Sequence, residues 1–161
     1  MLLIEKAIID AEPQAVFDAL TDFSAYPLWN PWIVLVSGDC TPGHTVTAQV
    51  MLAGKQKTVH HRIERVEAPE LFQWCDLGWF TVLAFGRRTR YLSRLPDGRC
   101  DYRVELSISG PLAWLVDGLY RKPLCHGLGQ ETLALKAWLE KTANHHKLPG
   151  YWNGACHEQT V

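Results

Sequence analysis

Between Ile33 and Ile108 the chain alternates short β-branched or aromatic stretches with clusters of turn-forming residues, and this alternation constrains the fold more than any other feature. The strand-like stretches are Ile33–Val36, Thr45–Leu52, Thr58–Val66, Leu71–Trp74, Phe80–Leu92 and Tyr102–Ile108. Between them stand Gly38-Asp39, Pro42-Gly43, Ala53-Gly54, Ala68-Pro69 and Pro96-Asp97-Gly98, residues that supply the left-handed or proline-fixed backbone of turns. Spacing this regular implies an antiparallel meander.

The flanks differ. Leu2–Ile9 is apolar and β-branched enough for a first strand. Pro13 then suits the first position of a helix, where its missing N–H costs nothing, and Val16, Phe17 and Leu20 fall at helical spacing. A second short helix can start at Asp22, capped by Asp22 or Thr21 and limited by Pro27 and Pro31. After Ser109-Gly110-Pro111, Leu124, Leu128, Leu135 and Leu139 recur at helical intervals, and Gln130–Thr142 is rich in helix formers. A long helix is expected there, kinked or interrupted at Pro123, with Gly127 and Gly129 lowering its stability while allowing close approach. The expected organisation is one α+β domain over residues 1–143, with about seven strands, followed by an irregular tail over residues 144–161.

Composition narrows the function classes. A chain of 161 residues is one domain in size, and such a domain buries roughly 70% of its unfolded surface. A net charge of -1 argues against a nucleic-acid binder, which needs a basic face. No run approaches the length of an integral membrane segment, so a cytoplasmic protein is the default expectation. The odd, scattered set Cys40, Cys75, Cys100, Cys125 and Cys156 reads as reduced thiols in or near the core. Seven tryptophans are an excess that suits a ligand cavity as well as a core.

The order strand, two short helices, six strands, long helix resembles the helix-grip fold of the START and pollen-allergen-like (SRPBCC) superfamily. Pro13-x-x-Val16-Phe17-x-Ala19-Leu20-Thr21-Asp22-Phe23, followed by Tyr26-Pro27-x-Trp29-Asn30-Pro31, is similar to the opening of its polyketide cyclase/dehydrase and lipid-transport branch. So is the stretch Arg62-Ile63-x-x-Val66-x-x-Pro69-Glu70-Leu71-x-x-Trp74, with a single residue between Pro69 and Leu71, and so is Ser109-Gly110-Pro111-Leu112 ahead of a helix reaching Ala134-Leu135-Lys136. The resemblance implies a curved sheet around one long helix, with a cavity between them for lipids, polyketides, hormones or other hydrophobic molecules. Some members are cyclases or hydrolases and many only bind or carry, so fold alone does not select among them.

The residues themselves indicate what lines such a cavity. On the last strand Tyr102, Val104, Leu106 and Ile108 share one face, expected to point inward, opposite Arg103, Glu105, Ser107 and Ser109. The preceding strand carries Arg87, Arg88 and Arg90, and the hairpin register decides which of them face in. A three-residue loop at Pro96-Asp97-Gly98 pairs Leu95 with Arg99 and sets Leu92, Arg90 and Arg88 beside Tyr102, Val104 and Leu106. A two-residue turn at Asp97-Gly98 would instead place Arg90 outside opposite Glu105 and make Arg87 the inward candidate. Proline's fit to the first turn position favours the former. An arginine in an apolar interior needs an anionic partner from protein or ligand.

Candidate ligand-binding residues are therefore Arg88, Arg90, Tyr102, Val104, Leu106, Leu124, Leu128, Trp29 and His61. His61, in phase with Val59 and Ile63, can also be an acid or base near neutral pH, although a hydrogen-bonded strand histidine is the simpler reading. Cys125-His126 diverge on a helix and supply no nucleophile with its base. Asp22 and Asn30 read as a cap and a turn residue. No zinc-type spacing and no cofactor motif emerges, so neither metal nor cofactor is expected. The leading expectation is a binder or carrier of a small hydrophobic, acidic ligand. A cyclase/dehydratase-like enzyme using Arg88, Tyr102 or His61 is the alternative, and an interaction module with a Trp-rich surface the third. A homodimer stays open.

Overall fold

The computed structural model describes the backbone of residues 1–146 and the side chains through Thr142. Seven strands, β1 (Leu2–Ile9), β2 (Ile33–Ser37), β3 (Thr45–Leu52), β4 (Lys55–Glu67), β5 (Leu71–Leu77), β6 (Phe85–Arg94) and β7 (Cys100–Ser109), form one antiparallel sheet in the order β1-β7-β6-β5-β4-β3-β2. Helices α1 (Pro13–Thr21) and α2 (Tyr26–Trp29), with a 3-10 turn over Phe23–Ala25 between them, connect β1 to the far edge strand β2. The long helix α3 (Ala113–His146) follows β7. This is the α+β helix-grip fold. β2 through β7 are sequential hairpins, as turn spacing predicts, and only the β1–β7 pairing joins distant parts of the chain.

Alternation of side chains builds the core. Ile63 of β4, Phe72 and Trp74 of β5, and Tyr102, Val104 and Leu106 of β7 all point to the concave face and are buried. Burying each such apolar side chain contributes about 1.5–3 kcal/mol. α3 closes this face with Leu128, Leu135 and Leu139, at the helical spacing read from the sequence. Polar ties fix its C-terminal half to β1: Lys136 Nζ donates to the Ile8 carbonyl at 2.7 Å, and Glu140 accepts from the Asp10 amide at 3.1 Å.

Local chemistry sets several boundaries. Asp22 accepts from the Ser24 amide at 3.1 Å and caps the 3-10 turn. Asn30 Oδ1 accepts from the amides of Trp32 (3.0 Å) and Ile33 (2.8 Å), turning the chain from α2 into β2.

Three details differ from expectation. The stretch Phe80–Ala84 is not strand: the chain forms a 3-10 turn over Trp79–Val82, and β6 begins only at Phe85. Apolar composition suggested a strand, but Trp79 and Val82 are exposed and have no sheet to pack against. Helix α3 runs through Pro123 without a break in its assignment. The carbonyl that Pro123 leaves without its N–H belongs to Leu119, which is exposed, so that carbonyl is not sealed in an apolar interior. The helix also continues to His146, three residues beyond the boundary at residue 143; residues 147–161, with Trp152 and Cys156, lie outside the described residues.

Candidate functional site

The β6–β7 hairpin has the register of the three-residue loop: Leu95 N–H donates to the Arg99 carbonyl at 2.8 Å, Gly98 takes a left-handed φ of 87°, and Arg88, Arg90 and Leu92 lie opposite Leu106, Val104 and Tyr102. That register turns both Arg88 and Arg90 inward, as the three-residue loop predicts. Arg88 is 7% exposed and Arg90 0%. Arg87, one residue away, points to the convex face and pairs there with Glu64 at 2.7 Å.

Both inward arginines meet one carboxylate that the sequence reading did not single out. Glu131 of α3, 1% exposed, accepts from Arg88 Nη1 at 3.0 Å through one oxygen and from Arg90 Nη2 at 2.8 Å through the other. A signal for it existed. Position 131 lies three residues after Leu128 and four before Leu135, so an acid sits on the buried stripe of the helix, where it needs a partner.

Aromatic rings enclose the cluster. The Arg88 guanidinium lies 4.1 Å from the Trp32 ring centre and 5.8 Å from that of Trp74, and Arg90 lies 4.7 Å from Trp74 and 5.2 Å from Phe72. Such contacts suit a flat, weakly hydrated cation. Around Arg90, the Tyr102 hydroxyl forms no hydrogen bond of regular geometry, while the Tyr26 hydroxyl donates to the Leu20 carbonyl at 2.9 Å. The Asn30 amide faces Glu131, likewise without a regular bond.

Burial and charge compete in this cluster. Burial by itself would raise the Glu131 carboxyl, but Arg88 and then Arg90 outweigh it and hold the group below the usual carboxylate range. Burial lowers Arg88, only partly offset by Glu131. Arg90 is also pushed down by burial, yet Glu131 and the two tyrosines carry it above its ordinary value. Burial raises both Tyr26 and Tyr102, so they stay neutral. Two guanidinium groups against one carboxylate leave one positive charge in excess, and no second carboxylate among the described residues reaches either arginine.

The remaining candidates separate into two groups. Val104, Leu106 and Leu128 are buried beside the cluster's strands and helix, and Leu124 is half-buried against the core. Trp29 packs on Tyr26 at 5.1 Å within the α2 layer. His61 stacks on Trp74, ring centres 4.9 Å apart and planes 7° from parallel, and its Nδ1 lies 3.1 Å from Asp76. Asp76 in turn lies over Gly86, where an added Cβ would fall 2.2 Å from its Oδ2.

The four cysteines among the described residues, Cys40, Cys75, Cys100 and Cys125, are unpaired. Burial raises the thiols of Cys40, Cys75 and Cys100 to about 11, which keeps them protonated and unreactive.

A groove of about 240 Å³ opens between the β3–β4 hairpin tip and α3, and Trp32, Met51, Pro123, His126, Gly127 and Gln130 are among its walls. A larger one of about 640 Å³, between α1 and the β6–β7 turn, touches none of the cluster residues.

The chain belongs to the family described as polyketide cyclase / dehydrase and lipid transport, which matches residues 2–124. Solved structures agree on the fold. A protein from Nitrosomonas europaea superposes with a TM-score of 0.71 at 15% identity, covering 89% of this chain and 97% of that one. A START superfamily protein from Mycobacterium smegmatis gives 0.66 at 14% identity, covering 88% and 98%. Ara h 8.0201 gives 0.66 at 17% identity, again covering 88% and 98%. No curated protein matches the sequence. Family and fold together suggest a ligand-binding protein of the START-like kind. No helix among the described residues is long and apolar enough to cross a membrane.

Proposed function

We propose that the chain binds or carries a small hydrophobic molecule with an acidic group, held between the sheet and α3, with Arg88 receiving the acid. The observation that carries this reading is the buried charge imbalance: two guanidinium groups share one carboxylate. An unpaired buried charge is costly, and an anionic ligand supplies the missing counter-charge. Of the two arginines only Arg88 retains any exposure; among the described residues its Nε has no hydrogen-bond partner, as is also true of Nε and Nη1 of the fully buried Arg90. The aromatic and aliphatic surroundings are those of a hydrophobic-ligand site with few, specific polar groups. Native mass spectrometry of the protein purified from its own host tests this directly: a co-purifying acid is expected, and Arg88→Gln should abolish its retention. Retention of the same molecule by Arg88→Gln would remove Arg88 from the role.

One observation favours a second reading, a cyclase/dehydratase-like enzyme. His61 is held by stacking on Trp74 with the Asp76 carboxylate 3.1 Å from its Nδ1, although without a hydrogen bond of regular geometry, so a candidate base stands beside a carboxylate. In that reading the ring moves a proton at its Nε2 while Arg88 stabilises negative charge developing on the substrate. A bell-shaped or sigmoidal pH dependence of turnover that disappears in His61→Gln would select it over simple binding.

A further inference from the structure

Apolar side chains that no other element covers gather at one end of the molecule. Trp79 and Val82 of the 3-10 turn are 82% and 75% exposed, and Trp114 and Leu119 in the first turns of α3 are 70% and 64% exposed. The two segments are joined directly: Leu112 N–H donates to the Leu83 carbonyl at 2.9 Å, and a Cβ on Gly110 would fall 2.6 Å from that same oxygen. On α3 the half-buried positions are Ala113, Val116 and Asp117, while Trp114, Leu115 and Leu119 face away from the protein. A surface helix of a globular protein carries the reverse pattern, with its polar side outward. Exposed apolar surface that runs from a turn onto a helix marks an interaction site.

Charge is divided along the same axis. Lys55 and Lys57 project from the start of β4, beyond its first pair with β5 at His60–Leu77, and Lys122 follows Leu115 and Leu119 at helical spacing. All three lysines are exposed, and none forms an ion pair among the described residues. Nearby acids are engaged: Asp117 pairs with Arg121 at 2.6 Å, and Asp76 lies 3.1 Å from His61. Asp18, Glu70 and Asp101, exposed and without an ion pair among the described residues, lie around the grooves at the opposite end of the sheet. A chain of net charge -1 therefore has one apolar, cationic end and one acidic end.

We infer that the apolar end docks on an anionic phospholipid bilayer, with Trp79 and Trp114 in the headgroup layer and Lys55, Lys57 and Lys122 over lipid phosphates. An indole has a large apolar body and one N–H donor, which suits the boundary between water and hydrocarbon. Exposed Trp and Leu flanked by lysine is the composition of a segment that lies in that boundary. A second copy is a poorer fit, because a two-fold contact through this surface sets its lysines against their own equivalents. Docking also brings the 240 Å³ groove to the bilayer, since Met51, Ala53 and Gly54 of the β3–β4 tip line it. The surface shares no residue with the Arg88–Arg90–Glu131 cluster, so it stands or falls apart from the acid-binding reading.

Vesicle flotation on the whole protein tests this, over a lipid titration at low salt. The probes are vesicles of equal parts phosphatidylglycerol and phosphatidylcholine, and vesicles of phosphatidylcholine alone. Partition into the anionic vesicles should be stronger by roughly a hundredfold, because each of the three lysines contributes about fivefold near an anionic surface. Added salt should weaken it. Lys55→Gln, Lys57→Gln and Lys122→Gln together should erase the difference between the two vesicles. Trp79→Ser with Trp114→Ser should cut partition by about tenfold or more without moving the denaturation midpoint, since both side chains are exposed. Glu70→Gln, at the acidic end, should change it by less than about twofold. Absence of partition into anionic vesicles overturns the inference. Undiminished partition of the double serine variant overturns the assignment to this surface, and equal partition into both vesicles overturns the anionic class. Self-association that the double serine variant loses, with no vesicle binding by the parent protein, gives the surface to a second copy and overturns the bilayer.

Discussion

Arg87 and Arg88 are neighbours on one strand, yet they do opposite work because they face opposite sides of the sheet. On the convex side Arg87 meets Glu64 at 2.7 Å with side chains 44% and 23% exposed, and the bond to Arg87 is the main reason Glu64 sits below the usual carboxylate range. On the concave side Arg88 meets Glu131 at 3.0 Å with side chains 8% and 1% exposed, and burial is the dominant influence on both groups. The pair distances are similar, but water screens one pair and is excluded from the other. The exposed pair can lose a partner to solvent at little cost, whereas the buried cluster cannot. The surface pair therefore sits in solvent, and the buried cluster sets a net positive charge inside the fold.

The largest test of this contrast is to remove the shared carboxylate. Glu131→Gln leaves two buried guanidinium groups without a counter-charge and should destabilise the fold by about 3–5 kcal/mol, measured by chemical denaturation. A loss as small as that of a surface pair would mean that water reaches the cluster.

Replacing the whole cluster separates stability from binding. Arg88→Met, Arg90→Met and Glu131→Leu together should leave the protein folded and either as stable or more stable by about 1–4 kcal/mol, because the desolvation cost of three charged groups disappears. Acid binding should vanish in the same variant. Retained binding would show that the cluster serves packing only.

Acid titration gives an intermediate effect. Glu131 titrates lower in the folded chain than in the unfolded one, so as pH falls the unfolded chain takes up the proton first. Its stabilising contribution is complete above the ordinary carboxyl value of about 4.3 and is lost as pH falls through the lower folded value. Glu64 acts with the same sign. The stability of the parent protein should therefore decline below about pH 4, and Glu131→Gln should flatten that decline more than Glu64→Gln does.

The smallest effect is expected on the outside. Glu64→Gln should cost about 0–1 kcal/mol and less at high salt, since the Arg87 pair is partly exposed and screened. A salt-independent cost would place this pair in the same class as the buried one.

Which arginine faces inward was legible locally. Strand side chains alternate with a period of two, so the Pro96-Asp97-Gly98 turn, by setting one backbone pairing, sets every face of the hairpin. The order of elements was legible for a similar reason, since β2 through β7 pair with their sequence neighbours. The 3-10 turn at Trp79–Val82 was not legible, because an apolar run looks like a strand whether or not a sheet is there to receive it.

By itself, then, the sequence determined the antiparallel meander, the capping helix and the inward arginines, all of which follow from short-range periodicity and turn chemistry. Only the tertiary structure decided what those arginines meet. Glu131 lies 43 residues from Arg88 and 41 from Arg90, and Trp32 arrives from the opposite edge of the sheet. Their meeting depends on how α3 docks against the concave face, down to the absence of a side chain at Gly127. Docking of that kind is a property of packed surfaces and not of any local stretch, so a reading of strand and helix periods could locate the buried charge without showing what balances it.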